Sequence, residues 1–314
     1  QAEDGIRDRS PSRGLGDVYK RQELGHNVLH GQWDWMRDPD IHSSTWEWDF
    51  VAPAAGWRHT HNDLHHTYTN VIGKDRDVGY TVLRMDDSIP WQPKHLLNPV
   101  TNAILAPIFE WAIALFDLEL EAVKDGTKSR KALKADLRAL GVKFSKQVAK
   151  DYVATPGVAA LTGSFVPALL ATLSANAIRN IWAHAVIFCG HFPDGADKFT
   201  LEDLEEETQA QWYLRQMLGS ANFTGSQLTH FMSGNLSFQI EHHLFPTIPS
   251  NRYSEISVQV QDICRRWDLP YTTGPLYRQY WQSWRTIAKL SLPERFLKGT
   301  PDDAPETRSE RMFR

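Results

Sequence analysis

The chain has 314 residues and a formal net charge of −4, long enough for one large domain or two small ones and without the basic excess of a nucleic-acid binder. Its two cysteines, Cys189 and Cys264, lie far apart and match no zinc or redox spacing, so a disulfide scaffold and a thiolate metal site are excluded and reduced thiols are expected. A mean hydropathy of −0.44 argues against a many-spanning membrane protein, but local windows and 12 tryptophans, a residue at home where one end is apolar and the other wet, point back toward a bilayer.

In chain order, QAEDGIRDRSPSRGLGDVYKRQ at residues 1–22 is charged, lacks an apolar period and has no h-region, so it is no signal peptide. It looks like a non-native, adapter-derived segment, with native sequence expected from about Glu23. From there to Tyr80 the chain is dense in His, Trp and Asp. GHNVLH sets His26 and His30 four apart, on one face of a helix; HTHNDLHH does the same with His61 and His65, and His66 adjoins them.

Leu96 to Leu118 is apolar apart from Glu110; it could span a membrane, lie in the interface or re-enter. Glu121 to Lys150 is rich in Lys and Arg, and Leu133, Leu137, Leu140, Phe144 and Val148 recur at helical spacing. That is a basic amphipathic helix suited to an anionic membrane surface, or an ordinary surface helix, and its charge would keep it cytoplasmic. Tyr152 to Leu173 carries no charge and is long enough to cross a bilayer. After the break SANAIRN, Ile181 to Cys189 is apolar except for His184, which predicts a membrane hairpin with Arg179 near its far turn. TLED at Thr200 predicts a capped acidic helix reaching Leu218. QIEHH, residues 239–243, supplies His242 and His243. Ile256, Val260, Ile263 and Trp267 mark an amphipathic helix capped by Ser250 or Asn251. Beyond Lys298 the Pro- and charge-rich tail, residues 298–314, is expected to be disordered.

One histidine pair would read as a solvated surface pair. Seven histidines in three clusters exceed one ion's coordination sphere, so two metals are the natural count, and imidazole suits Zn, Cu, Fe or Ni. The absence of cysteine from all three disfavours structural zinc.

His26-x-x-x-His30, His61-x-x-x-His65-His66 and Gln239-x-x-His242-His243 together resemble the three histidine boxes of membrane fatty acyl desaturases. The order also fits: two boxes, hydrophobic segments, then a third box followed by LFP. The resemblance covers about Glu23 to Arg252, and GHNVLHGQWDW, TNVIGKDRDVGY, FCGHFPDG and SGNLSFQIEHHLFPTIP look closest to the actinobacterial acyl-CoA desaturase branch. It implies an all-α integral membrane helical bundle with a cytoplasmic helical cap carrying the boxes. The desaturase domain would occupy residues 23–297 and lack an N-terminal membrane hairpin. The implied site is a di-iron centre at the cytoplasmic face of a bacterial membrane, with O2 as co-substrate and a cis double bond formed in a fatty acyl chain, as acyl-CoA or acyl-lipid. A separate electron donor is implied (ferredoxin, flavin reductase or a cytochrome b5-like protein), since no cytochrome b5-like haem motif is present; no nucleic acid takes part.

The implied ligands are His26, His30, His61, His65, His66, His242 and His243, with one more histidine from the end of the hairpin. His191 is preferred because it lies nearer the surface where the boxes gather; His184 is the other candidate, or a buried polar residue. Gln239 stands where many relatives carry His, and would ligate through its amide oxygen or support a ligand. His59 points to a different helix face from His61 and is read as supporting or solvated. His42, His95 and His230 are read as structural, and Asp75 and Asp77 as orienting box histidines or forming a charged turn. Two other readings remain: a di-iron hydroxylase of lipid or alkane, separable by product mass, and a metal-binding protein without turnover.

Overall fold

The computed structural model describes residues 24–297. The expectations for residues 1–22, for a hairpin ahead of the first box and for the tail 298–314 lie outside the described residues. Within them the chain is predominantly helical, as expected, and the one sheet is a parallel pair of three-residue strands, β1 (Asn222–Thr224) and β2 (Thr273–Pro275).

The first box lies on and just beyond α1 (Leu24–Leu29). α2 (Ala54–Trp57) runs directly into a π-helical turn, Arg58–His65, that carries the second box. The apolar stretch from Leu96 breaks in two: α3 (Asn98–Leu105) and α4 (Phe109–Phe116) meet at a tight turn over Ala106–Ile108. Pro107 causes the break, because its ring and missing N–H do not fit a helix interior.

The basic amphipathic helix forms as α5 (Arg130–Val148), its start fixed by the Ser129 hydroxyl accepting from the Ala132 N–H at 3.1 Å. It continues without interruption through a π-helical segment, Ala149–Ala154, and a further α-helical stretch, Thr155–Ala160. The chain then turns at 161–164 and returns as α6 (Phe165–His191). The hairpin therefore turns well before the expected break. SANAIRN contains no Gly or Pro and winds into the middle of α6, whereas Gly163 supplies the left-handed φ of +73° that the reversal needs. Arg179, expected near the far turn, sits mid-helix and buried, ion-paired to Glu110 of α4. Among the described residues no helix is long and apolar enough to cross a membrane.

Two further expectations are corrected. Asp203 caps Thr200, accepting from its N–H at 2.7 Å, but only a short turn follows (Glu202–Leu204). On a continuous helix Glu202 and Asp203 would face Glu205, Glu206 and Glu207 at spacings of three and four, which repels, and Glu206 adopts φ +61°. The helix, α7 (Gln209–Leu218), starts only at the Thr208–Gln211 capping box. The third box forms α8 (Gln239–Leu244). α9 (Tyr253–Trp267) has Arg252 at its N-cap and no side-chain cap, because Ser250 and Asn251 are taken into a preceding tight turn. α10 (Leu276–Leu290) packs across α6 and α3.

Three apolar clusters hold this arrangement, the smallest formed by Val186, Cys189, Phe223 and Leu236. Of the other two, the larger joins Leu29, Trp48, Phe50 and Trp57 to Phe109, Phe188 and Ile287, and the smaller joins Val71, Met217, Leu218 and Ile240 to Val260 and Cys264. Each fully buried large side chain contributes about 1.5–3 kcal/mol. The smaller core fixes α8, through Ile240, against α7 and α9, and the larger fixes α1, α2 and α6. Both cysteines are buried and free.

Candidate metal centre

The second box owes its shape to the π-turn. The His66 N–H donates to the His61 carbonyl at 3.0 Å, an i→i+5 bond, so residues 61 and 66 stand one turn apart. The His61 ring then lies 5.0 Å from both the His65 and the His66 rings. An α-helix would bring only His65 under His61.

Across the fold the boxes converge. His26, His30, His61 and His242 place ligand atoms within 4.8 Å of one another, as do His65, His191 and His243. His66 stands between the two groups, its ring 4.5 Å from that of His30 and stacked at 4.4 Å on that of His243. Asp77 forms a third grouping with His61 and His65.

The nitrogens divide by role. His65 Nδ1 lies 2.8 Å from Asp75 Oδ2, and His61 Nδ1 lies 3.5 Å from Asp77. Tyr253 Oη holds His242 Nδ1 at 3.2 Å, Gln216 Oε1 and Thr69 Oγ1 each hold His243 Nδ1 at 3.1 Å, and Asn27 holds His26 Nδ1 at 3.3 Å. The opposite nitrogens, Nε2 of His30, His61, His65 and His242, are buried and have no hydrogen-bond partner, and neither nitrogen of His66 has one. Leaving that many buried polar atoms unsatisfied would be costly. An outer hydrogen bond with an inner nitrogen left open is the pattern that orients imidazole for a metal.

Electrostatics agree. Burial lowers the His26 pKa to about 4. Burial and the repulsion of neighbouring imidazoles push His30, His61, His66, His242 and His243 well below the ordinary value. Neutral imidazole is the form that ligates. His65 differs: burial pulls it down, but Asp75 and then Asp77 more than offset this, so its pKa is raised. Burial, opposed by His65, lifts the Asp77 carboxyl to about 7.

The remaining candidates separate cleanly. His191 enters the second group, with Nε2 2.9 Å from Gln239 Nε2 and 3.3 Å from His243 Nε2. Gln239 itself faces the cluster, and its Oε1 is buried without a partner. His184 is elsewhere, bonded to Asn102 at 2.9 Å and to the Tyr280 hydroxyl at 3.1 Å and stacked on Phe188. His59 is half exposed and faces Asp63 and Glu119. His42 meets Ser44, His95 accepts from the Gln92 N–H, and His230 meets Ser237, all outside the cluster. Sequence reasoning missed Gln216, Thr69, Tyr253 and Asn27. It also missed Glu241, which binds Asn222 and Tyr271 at 2.8 and 2.9 Å and so anchors α8. Nothing in their local sequence marks them; all but Asn27, which adjoins His26, matter through partners distant in the chain.

Beside the cluster lies a cleft. His26, His61, His65, His191 and Gln239 form part of its wall; Trp48, Phe50, Tyr80, Ile113, Phe116, Ile187 and Phe192 are among the apolar side chains of the rest, which also includes Thr60, Asn70, Asp77 and Asp117. The arrangement can hold metal beside a largely apolar cleft.

Comparison with known proteins gives the same family. The fatty acid desaturase family profile matches residues 19–275. The chain is 55% identical over 302 residues to an NADPH-dependent stearoyl-CoA 9-desaturase of Mycobacterium tuberculosis, covering 96% of this chain and 71% of that protein. The chain belongs to the fatty acid desaturase family. It is an oxidoreductase that desaturates fatty acyl chains, and the hydroxylase alternative is not favoured. More distantly, the desaturase is 24% identical to an sn-1 linoleoyl-lipid 6-desaturase of Synechocystis, over 81% of this chain and 72% of that protein. It is also 28% identical to an acyl-lipid (7-3)-desaturase of Chlamydomonas reinhardtii, over 69% of this chain and 43% of that one. No solved structure matches it.

Proposed function

We propose that the chain removes two hydrogens from a long saturated acyl-CoA, stearoyl-CoA being the first substrate to test, at two irons held by His26, His30, His61, His65, His66, His191, His242 and His243. One observation carries the reading: buried imidazoles, all but His65 of those described held towards the neutral form, gather with unpartnered inner nitrogens beside a largely apolar cleft. The 55% identical relative named for stearoyl-CoA supports the thioester and the 9-position. An alkyl C–H has no acidic proton, so general acid–base chemistry cannot reach it; bound iron would supply the capacity to activate O2 and break that bond.

The chain's own residues do the rest. Asp75, Tyr253, Gln216, Thr69 and Asn27 fix imidazole orientation through Nδ1 and leave Nε2 for metal. Gln239, between His191 and His243, supports a ligand or adds its amide oxygen. The aromatic walls exclude water and hold the alkyl chain, so methylene position is set by depth in the cleft.

Membrane residence is part of the same proposal. Ile104, Leu161, Val166, Leu170 and Ile178 are between 57% and 87% exposed on α3, α6 and the turn between α5 and α6, a belt better matched to lipid than to water. The Lys- and Arg-rich α5 supports placing the site on the cytoplasmic side. Reducing equivalents come from a separate protein, in keeping with the NADPH dependence in the relative's name.

The test is fatty-acid profiling of a desaturase-deficient host expressing the chain. The expected product is stearate lighter by two hydrogens with the double bond at position 9. A product heavier by one oxygen would overturn the reaction, and a double bond elsewhere would overturn the positional assignment.

A further inference from the structure

Resting on the proposed reaction, we infer that the exposed cationic stripe of α5 is the docking surface for an acidic, one-electron redox protein, and that Trp48 and Trp57 couple that surface to the imidazole cluster. The stoichiometry requires a donor: R–CH2–CH2–R′ + O2 + 2 e− + 2 H+ gives R–CH=CH–R′ + 2 H2O. The acyl chain yields two electrons with its two hydrogens, and the other two must arrive from outside.

The structure offers a short aromatic route. Trp57 stacks on His61 with centroids 4.4 Å apart and planes at 21°, and lies 5.4 Å from both His26 and His30. Trp48 follows at 5.1 Å from Trp57. Lys143 of α5 then donates to the Trp48 carbonyl at 2.6 Å and pairs with Glu47. Two indoles therefore separate the cluster from α5.

That helix is unlike the rest of a chain whose net charge is −4. Residues 130–148 hold six cations and one acid, Asp136, and Asp136 is already paired with Lys128. Lys131, Lys134, Lys143, Lys146 and Arg138 line one open groove together with Glu47, about 22 Å from end to end at 1.5 Å rise per residue. Lys131, Lys134 and Arg138 are exposed on one face, spaced three and four apart. Redox partners meet over small, transient interfaces guided by opposite charge, and this stripe fits an acidic one.

A bilayer does not fit it as well. α5 runs on unbroken to Ala160, where Val153 and Val158 are 63% and 64% exposed. A single helix whose far end enters lipid holds its basic half clear of the membrane plane. The phosphates of an acyl-CoA are the other polyanion within reach, and the experiment separates them.

The full chain is placed in nanodiscs with iron, and the probe is an acidic [2Fe–2S] ferredoxin kept reduced by NADPH and its reductase. For Lys131→Glu/Lys134→Glu/Arg138→Glu, the ferredoxin Kd from thermophoresis should rise about tenfold or more, given the ordinary worth of three reversed charge contacts. The salt dependence of binding should flatten, while the KM for stearoyl-CoA and dithionite-driven turnover stay at parental values. Trp48→Leu should keep the ferredoxin Kd but slow electron arrival in stopped flow about tenfold, with Trp48→Phe intermediate. An unchanged ferredoxin Kd in the triple variant overturns the docking surface, and so does a rise confined to the stearoyl-CoA KM. An unchanged rate in Trp48→Leu overturns the route. Failure of the parent chain to turn over even with dithionite condemns the proposed reaction instead, since the binding measurement needs no turnover.

Discussion

Asp75 offers the sharpest test of whether the outer hydrogen bonds hold the inner nitrogens in place. Its Oδ2 accepts from His65 Nδ1 and from the Asn70 N–H, both at 2.8 Å, and its Oδ1 accepts from the Asp77 N–H at 2.9 Å. Asp75→Asn removes the charge and turns one acceptor into a donor, so one of these three N–H groups must face an NH2. Hydrogen bonds to charged groups contribute about 1.5–3 kcal/mol, and loss of a partner that orients a ligating histidine costs roughly 10–100-fold in metal affinity. A hundredfold is about 2.7 kcal/mol, so the two figures agree. The assay is iron per chain after equilibration against rising EDTA, measured by elemental analysis, with thermal unfolding of the same samples. Asp75→Asn should release half its iron at about one-tenth to one-hundredth of the parental chelator concentration. Parental retention in a folded variant would refute the claim that Asp75 orients His65 for metal.

His66 stands between the two groups, so His66→Ala should lower bound iron and abolish desaturation, whereas His59→Ala and His42→Ala should leave both intact; product analysis and iron content decide. Gly190 has no room for a side chain, since an added Cβ would sit 2.9 Å from Gln239 Cγ. Gly190→Ala should therefore destabilise by about 1–3 kcal/mol, read as a lowered Tm, and should weaken iron retention as Gln239 is pushed onto His191. Arg179→Met strands the buried Glu110 charge, and a loss of about 3–5 kcal/mol is expected; the double variant Glu110→Leu/Arg179→Met should recover much of it in chemical denaturation. His184→Gln should lower the Tm, because it disturbs Asn102 and Tyr280, yet keep the parental iron content.

Those variants also mark what the sequence could convey. Helical periodicity marked both α5 and α9, although only Leu140 and Val260 of their apolar stripes are buried and Leu137, Phe144, Ile263 and Trp267 stay exposed. The hairpin was harder to read. Hydropathy reports whether a stretch is apolar, and only the Gly163 conformation says where it reverses. Hydropathy alone sets the reversal at SANAIRN rather than at 161–164, and the capping pattern of TLED takes no account of the acidic residues at three- and four-residue spacing behind it. The box histidines were conspicuous because they repeat at close spacing within short segments. Gln216 and Tyr253 were not, because what matters for each is a partner 27 and 11 positions away; Asn27 adjoins His26, but an asparagine beside a histidine carries no pattern of its own. Asp75 lay between, since an aspartate ten residues from His65 is as common in a turn as beside a metal ligand.

The i→i+5 turn of the second box sets a mechanical tolerance. Between His61 and His65, Asp63 and Leu64 can be exchanged as long as the backbone keeps its wide pitch, whereas Asn62 donates to the Leu29 carbonyl at 2.9 Å. Shortening the segment by a single residue lets it relax to ordinary winding and swings one of the two adjoining imidazoles off the shared face. The motif is in that sense a gauge of length, and a one-codon deletion there should be more damaging than the replacement of Asp63 or Leu64.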